Sequence, residues 1–427
     1  MSFSNYQESG PTLLTDAGSK IIGTFTLTDT TSTVANTLRR CILMETRSVG
    51  FYADLTSAKD PGVKIRKNTS VIFNEMLAHR LTLLPLGVVR VDEFKPENYE
   101  FVLNVKNEER GPIGTAAERH VKAGDFVIRE KQEDGSFANL PSEATLAMFP
   151  ADPVTKDTSL LVTLRPQWNV EQPPEEIDLT ASAVIGTGRD FMGFCPVAQC
   201  SFGNTLDTDP VRQEQFFNEW MQAYKKVADP TQVPPETLDK YRKEWSTMAV
   251  QRCFLVDERG EPNSFDFTIE SVGVRPVKDV VAEGIRAVVK LVEPYTNAEI
   301  PAAEIGIRTQ PVDSRMNGVD VIIEDHEHTL GCLLQALITE LYLDTEAADS
   351  PITYVGYKVR HPLKREVTLR FGIREGVTAD PATVARTVIA AAAARGRSIF
   401  EELGRAWAAL AGGIAGAGGE GVDALDG

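Results

Sequence analysis

The chain reads Thr33-Val-Ala-Asn-Thr-Leu-Arg-Arg-Cys-Ile-Leu-Met-Glu45 near its start and His328-Thr-Leu-Gly-Cys-Leu-Leu-Gln-Ala-Leu-Ile-Thr-Glu340 near its end, and the second stretch echoes the first. Both place Thr-Leu and a cysteine in an apolar run with helical spacing. The second carries the cleanest apolar stripe of the chain, formed by Leu330, Leu333, Leu334, Leu337, Ile338 and Leu341. Because one helix cannot bury such a stripe alone, each stretch predicts one side of a helix interface.

A second pair of stretches extends the repeat. Phe265-Asp-Phe-Thr-Ile-Glu-Ser-Val-Gly273 predicts a strand before a helical run at 277–292, and Leu369-Arg-Phe-Gly-Ile-Arg-Glu-Gly376 predicts a strand before a run at 384–394. Each copy therefore reads helix, strand, helix. Two copies in one chain predict an α+β protein built as an intramolecular pseudo-dimer. The first copy contributes to the predicted interface through Leu38, Ile42, Val281 and Ile285.

Shifts in composition divide the 427 residues into segments. Helical spacing gives way after about residue 50 to short apolar runs separated by proline, glycine and charged residues, which is typical of a β-rich domain. Three prolines mark a linker, and the end of the chain is rich in glycine and acidic residues. We predict a first dimerisation module at 1–50 and 190–293, an inserted β-rich domain at 51–189, a linker at 294–312, a second dimerisation module at 313–411 and a disordered tail at 412–427.

Composition narrows the possible partners and compartment. A net charge of −17 disfavours broad contact with nucleic-acid phosphates, so proteins are the expected partners. The five scattered cysteines lack Cys-x-x-Cys spacing, which indicates buried thiols in a reducing compartment. Neither a secretory signal nor an apolar run of about 20 residues is present in the sequence, so we expect a soluble intracellular protein without a membrane partner.

Several longer motifs resemble one known family. The segment Asn68-Thr-Ser-Val-Ile-Phe-Asn-Glu-Met-Leu-Ala-His-Arg-Leu-Thr-Leu-Leu-Pro-Leu86 resembles a signature of the third-largest RNA polymerase II subunit, the archaeal D subunit and, more distantly, the bacterial α amino-terminal domain. Asn36-Thr-Leu-Arg-Arg40 is similar to the first-helix motif of that family. Asp325-x-Glu-His-Thr-Leu-Gly331 and Val355-Gly-Tyr-Lys-Val-Arg-His-Pro-Leu363 are similar to the eleventh subunit and its archaeal L counterpart. The matches cover most of the chain in family order.

The resemblance implies a natural fusion of two α-like subunits that elsewhere form a heterodimer, as in large DNA viruses that encode their own polymerase. The implied function is a non-catalytic scaffold in transcription, an assembly platform for the two large catalytic subunits and for small subunits of a DNA-directed RNA polymerase. The complex, and not this chain, would be the nucleotidyltransferase. Little or no direct nucleic-acid contact is expected. The protein would reside wherever its polymerase works, in the virion and the host cytoplasm or nucleus if it is viral.

The resemblance also assigns residues to a large-subunit interface. Asn36, Arg39 and Arg40 match the first-helix motif, which faces a large subunit in the family. A guanidinium can bind carboxylates or carbonyls of a partner through two parallel hydrogen bonds, although a solvated helix face remains an alternative.

The inserted domain supplies the rest of the predicted interface. Glu75, His79 and Arg80 match its charged signature, and we expect them to form a buried ion pair that orients the helix before Leu83-Leu-Pro85. In the second module, Lys358, His361 and Pro362 match a structural turn in which an X-Pro corner ends one strand.

No cofactor is predicted. Many relatives of the third subunit hold zinc with four cysteines in the inserted domain, but this sequence has no cysteine between Cys41 and Cys195. His326, His328 and Cys332 could be read as metal ligands, yet their family counterpart is a capping turn. An alternative function remains, that of an unrelated enzyme or binding protein with a site in the inserted β-rich domain. It predicts a pocket lined by titratable residues with perturbed pKa values.

Overall fold

The computed structural model of the chain describes residues 1–10, 21–56, 62–111, 116–152, 155–169, 171–227, 233–312, 316–344 and 350–414. Within these residues the helices are α1 Ser32–Met44, α2 Asn74–Thr82, α3 Ser142–Met148, α4 Pro210–Trp220, α5 Pro235–Met248, α6 Val277–Val292, α7 His328–Tyr342 and α8 Pro381–Ile414. The strands are β1 Ser2–Ser9, β2 Ile22–Thr28, β3 Arg47–Phe51, β4 Val63–Asn68, β5 Tyr99–Lys106, β6 Arg119–Lys122, β7 Val127–Lys131, β8 Phe137–Asn139, β9 Leu160–Leu164, β10 Glu176–Ala181, β11 Ala183–Thr187, β12 Val197–Asn204, β13 Ser264–Ser271, β14 Ile307–Pro311, β15 Gly318–Glu324, β16 Ile352–Val359 and β17 Glu366–Ile373.

Two four-stranded antiparallel sheets have the same strand order. The first runs β1-β2-β13-β12 and the second β14-β15-β17-β16. In each sheet the second strand leads into a helix, α1 or α7, and the third strand leads into a longer helix, α6 or α8. We call the first sheet with α1 and α6 the first half, and the second sheet with α7 and α8 the second half. The chain therefore mixes helix and sheet as predicted, and both copies of the helix, strand, helix pattern are formed.

The four helices of the two halves share one buried core with both sheets. Helix α6 packs against α1 and α8, and α7 packs against α8 and α1. Nine of the ten residues predicted for the helix interface are buried there and Leu341 is partly buried: Leu38, Ile42, Val281, Ile285, Leu330, Leu333, Leu334, Leu337 and Ile338. Gly284 allows the close crossing of α6 and α1, because a Cβ at this position would lie 2.5 Å from Cγ1 of Ile42.

Helix α8 reaches across to the first sheet. Trp407, which is 2% exposed, makes edge-to-face contacts with Phe3, Tyr6 and Phe25 at centroid distances of 5.1, 5.0 and 5.0 Å. Its indole Nε1 donates a hydrogen bond to the carbonyl oxygen of Lys278 at 2.9 Å, at the start of α6. The second half therefore completes the core of the first.

Between α1 and β12 the chain forms a separate β-rich region with its own core. It contains the sheet β4-β10-β5-β7-β8, the strand pairs β6–β9 and β3–β11, and helices α2 and α3. We call this region, from β3 to β11, the insertion. The boundary predicted at residue 50 falls inside β3, whose Val49 and Phe51 are buried in the core of the insertion. Pairing of β3 with β11 explains why these residues belong with the insertion.

Two further expectations from the sequence need correction. The predicted linker at 294–312 contains β14, which pairs with β15 at the edge of the second sheet and was obscured by Pro311 at the strand end. Helix α8 continues past the predicted start of the tail at residue 412 and ends at Ile414, while 415–427 lie outside the described residues. Helices α4 and α5 lie between β12 and β13. They share a small core of Phe217, Met221, Trp245 and Ala249.

Candidate subunit interface

The first-helix motif lies on the half-buried side of α1. Arg39 Nε donates a hydrogen bond to Oδ1 of Asn36 at 3.0 Å, which fixes one side chain against the other within a turn. Arg40 Nε donates to Oγ1 of Thr329 at 2.8 Å, at the start of α7. Arg40 thus joins the two halves of the chain. Sequence reasoning assigned it only to a large subunit, since a contact between residues so far apart leaves no local signal.

The three charged residues predicted on the insertion lie on the solvent side of α2. Glu75, His79 and Arg80 are all exposed, so the expected buried ion pair is wrong. The reason is the orientation of the helix, which turns Leu77 and Leu81 into the core of the insertion at 0% exposure. Arg80 Nη2 donates to the carbonyl oxygen of Leu160 at 2.7 Å and so ties α2 to β9.

Large exposed apolar side chains lie next to these charged residues, and the sequence alone did not identify these apolar residues as exposed. The members of this α2 patch are Val71, Phe73, Met76 and Leu83, at 58%, 75%, 58% and 54% exposure. Phe73, Met76 and Leu83 recur at spacings of three and seven, which places them on one stripe along the helix with Arg80. A cluster of exposed large apolar residues rimmed by charges is typical of a protein-binding surface.

A shallow cleft of about 290 Å³ lies beside the α2 patch. It separates the helix from the segment after β3, and its lining includes Tyr52, Leu55, Glu75, His79 and Phe191. Tyr52, on the side of the cleft opposite α2, is 50% exposed. The cleft can accept a side chain of a docked protein.

A second group of polar residues lies where the two halves and the end of the insertion meet. Arg189, which follows β11, forms a salt bridge with Glu45 at the end of α1 and donates through Nη1 to the carbonyl oxygen of Asp325 at 3.1 Å. The next residue, His326, contacts the buried ring of Tyr295 edge to face at 5.7 Å. Burial, reinforced by the positive charge of Arg189, lowers the pKa of His326 to about 4.

This histidine predicts a pH dependence of stability. Because its pKa falls from 6.5 when unfolded to about 4 when folded, the unfolded chain binds the extra proton first as the pH drops. Stability should therefore be full above about pH 6.5 and fall by up to about 3 kcal/mol towards pH 4, at 1.36 kcal/mol per pKa unit. Urea unfolding at several pH values should show a shallower decline for His326→Gln. The exposed His361→Gln should follow the parent chain, and identical slopes for His326→Gln and the parent would contradict this assignment.

The sequence singled out two more sets of residues in the second half, possible metal ligands and a structural turn. Among the described residues no three His, Cys, Asp or Glu side chains are grouped as a metal site. Nδ1 of His328 lies 3.4 Å from the hydroxyl of Tyr357. His361 and Pro362 lie in the turn between β16 and β17, where Nδ1 of His361 accepts a hydrogen bond from the backbone N–H of Leu363 at 3.1 Å, and Lys358 is exposed on β16.

The alternative of an enzymatic site in the insertion gains no support from its carboxylates. Lys67 and Lys106 lower the pKa of Glu176, and Arg66 lowers that of Asp178, all within ion pairs on the five-stranded sheet. Structural ion pairs of this kind perturb pKa values without forming a reactive site. In the parts of the chain that the structure describes, no helix is both long and apolar enough to span a bilayer.

Comparisons with known proteins identify relatives. Residues 24–292 match the family model of the RNA polymerase Rpb3/Rpb11 dimerisation domain. The chain is 27% identical over 274 residues to DNA-directed RNA polymerase II subunit RPB3 of Schizosaccharomyces pombe, covering 61% of this chain and 78% of that protein. It is 30% identical over 200 residues to DNA-directed RNA polymerases I and III subunit RPAC1 of Saccharomyces cerevisiae, covering 42% and 52%. For RPAC1 of Mus musculus the identity is 28% over 283 residues, covering 59% and 74%.

Proposed function

Because this chain belongs to the RNA polymerase Rpb3/Rpb11 dimerisation-domain family, we propose that it is a fused assembly platform of a multisubunit DNA-directed RNA polymerase. The chain is a non-catalytic, structural subunit of such an enzyme. In this proposal the first half corresponds to the third subunit and the second half to the eleventh, and the two form an intramolecular pseudo-heterodimer. The platform then holds the two large catalytic subunits and small polymerase subunits.

The common architecture of the two halves supports the fusion. Their sheets have the same strand order, although the matched family region ends at residue 292 and so covers only the first half. Contacts across the halves include Trp407 against the first sheet and Arg40 against Thr329. Joining the halves in one chain raises their effective concentration to about the millimolar range. We extend the proposal to the polymerase of a large DNA virus, since the fused arrangement resembles that class.

The observation that carries the platform role is the α2 patch. Its apolar residues are exposed in the free chain, and they lie in the segment that resembles the family signature. Glu75, His79 and Arg80 surround the patch and would form the polar rim of the interface. Asn36 and Arg39 on α1 complete the proposed large-subunit contact, with no direct contribution to nucleic-acid binding in a chain of net charge −17.

Charged substitutions in the α2 patch test this function. We expect Phe73→Asp with Met76→Asp to reduce co-purification of the two large subunits at least about tenfold, because it introduces charge where apolar anchors must be desolvated. The melting temperature of the isolated chain should stay within about 2 °C of the parent, since both side chains are exposed.

A matched control separates docking from general effects of charge. Val211→Asp with Met248→Asp places the same charges on α4 and α5, at residues that are 65% and 74% exposed. This control should retain both large subunits. If the α2 variant retains them equally well, or if the control loses them to the same extent, the proposed interface is wrong.

A further inference from the structure

The insertion is joined to the first half by a neck of two paired strands. Strand β3 leads into the insertion and β11 leads out, and their pairing runs from Phe51 with Ala183 down to Arg47 with Thr187. In the described ranges of the chain, the buried apolar cluster of the insertion and the shared core of the two halves have no member in common. A continuous apolar core therefore does not fix the angle between the insertion and the halves, so the polar contacts beside the neck matter for it.

The first residue of β3 is held at the base of the neck. The backbone N–H of Arg47 donates to Oε1 of Glu283 on α6 at 3.1 Å, and the carbonyl oxygen of Arg47 accepts from Nη1 of Arg275 at 2.8 Å. The side chains of Arg275 and Glu283 are only 4% and 10% exposed. The backbone of Arg47 is therefore fixed in a buried polar site, whereas its own side chain is 35% exposed.

The guanidinium of Arg47 reaches the body of the insertion. Its Nη2 donates to Oδ1 of Asp92 at 2.5 Å. Asp92 follows Val91, which is 4% exposed and belongs to the same buried cluster as Leu77 and Leu81 of α2. The contact therefore connects the buried site at the neck to the core that carries α2 and the α2 patch.

Helix α6 adds two cations to this contact. Glu283, Arg286 and Lys290 recur at spacings of three and four, which places them on one side of the helix. The hydrogen bond from Arg47, together with the positive charges of Lys290 and Arg286, lowers the pKa of Asp92. One carboxylate of the insertion thus interacts with three cations, one on the neck and two on α6.

We propose that Asp92 is a positioning residue that fixes the orientation of the insertion, and with it the α2 patch, relative to the two halves. It acts through Arg47 and through the two cations of α6. The consequence for docking rests on the proposed function, whereas the orientation is a property of the isolated chain.

Removal of this carboxylate should affect orientation and overall stability differently. The side chain of Asp92 is 74% exposed, and ion pairs of exposed residues contribute little to the free energy of unfolding. A small difference in free energy is nevertheless enough to change the populations of two orientations of a domain. The melting temperature should therefore stay nearly constant while the range of orientations widens.

Distances between two spin labels in the isolated full-length chain test the proposal. Ketone-bearing amino acids at Gln7 on β1 and Asn139 on β8 carry the labels, since both positions are exposed and the native cysteines then stay unlabelled. Pulsed electron paramagnetic resonance should give one narrow distance distribution for the parent chain. We expect Asp92→Asn to widen it at least about twofold. Asp92→Lys should widen it further, because the same three cations repel a lysine.

A neighbouring carboxylate provides the matched control. Glu93→Gln removes the same charge from the next residue, which is exposed and pairs at 3.4 Å with Arg90 of the same segment. This control should leave the distance distribution unchanged, and Asp92→Asn should keep the melting temperature within about 2 °C of the parent. A distribution like that of the parent for both Asp92 variants, or equal widening by Glu93→Gln, would overturn the proposal.

Co-purification of the large subunits distinguishes a failure of this proposal from a failure of the proposed function. If Asp92→Lys widens the distribution, the fraction of chains with a correctly oriented α2 patch falls, and retention of the large subunits should fall with it. Wider distances with unchanged retention would support the positioning role and contradict docking at the α2 patch. Unchanged distances would contradict the positioning role whatever the retention.

Discussion

Replacing Trp407 by alanine is expected to lower the free energy of unfolding by about 4 kcal/mol, the usual range for loss of a large buried aromatic side chain. The substitution removes the contacts of the indole with Phe3, Tyr6 and Phe25 and leaves a cavity between α8 and the first sheet. It also leaves the carbonyl of Lys278 without its indole donor. Chemical denaturation of the full chain measures the loss.

Two comparison variants identify the cause of the loss. Trp407→Phe keeps an aromatic ring but not the hydrogen bond, and should cost about 1–2 kcal/mol. Trp168→Ala removes the same side chain from a position that is 69% exposed, and should stay within about 0.5 kcal/mol. If Trp407→Ala were no more harmful than Trp168→Ala, α8 would not be completing the first sheet.

The same variant tests whether the halves associate through this contact. A protease site inserted between Asn297 and Ala298 would cut the connection without removing any core residue. The cut parent chain should elute as one species on a sizing column, because the helices remain packed. The cut Trp407→Ala chain should separate into two species at low concentration. Separation of the cut parent chain would argue against the pseudo-heterodimer.

The second large effect is expected at a buried ion pair that joins three segments. Arg275 and Glu283 are in contact at 2.6 Å, and their side chains are only 4% and 10% exposed. Oε1 of Glu283 also accepts a hydrogen bond from the backbone N–H of Arg47 at 3.1 Å, while Nη1 of Arg275 donates to the carbonyl of Arg47 at 2.8 Å. Glu283→Ala should cost about 3–5 kcal/mol, because it leaves an unpaired guanidinium in the interior.

A double substitution and a surface pair provide the controls. Arg275→Met with Glu283→Met removes both charges and should recover part of the stability lost in Glu283→Ala. Glu214→Ala breaks the pair with Arg242, which is about half exposed on both sides, and should cost no more than about 1 kcal/mol. Similar losses for Glu214→Ala and Glu283→Ala would show that burial does not determine the cost at these sites.

Local periodicity predicted the helices that build the shared core. The stripe from Leu330 to Leu341 lies on α7 as expected, and Thr31 caps α1 by accepting a hydrogen bond from the N–H of Val34. These features depend on neighbours within a few residues, which is the range that helical spacing and capping residues encode.

The candidate interface could be predicted only in part, because it depends on distant packing. The charged residues of α2 were identified, but their exposure is set by which face of the helix meets the insertion sheet. Leu77 and Leu81 take that face, and Phe73 is left outside. Arg40 forms a hydrogen bond with Thr329, and Trp407 packs against Phe3. Each contact joins residues that are hundreds of positions apart in the sequence. No pattern within a short window contains that information.

The packing of Trp407 on the first sheet also affects the protein during its synthesis. Phe3 and Phe25 leave the ribosome early, whereas the indole that covers them is synthesised more than 380 residues later. At typical translation rates of about 5–20 residues per second, this apolar surface stays exposed for roughly 20–80 s. The first sheet is therefore completed only after residue 407 has left the ribosome. Nascent chains of this protein are therefore expected to depend on chaperones until Trp407 has emerged.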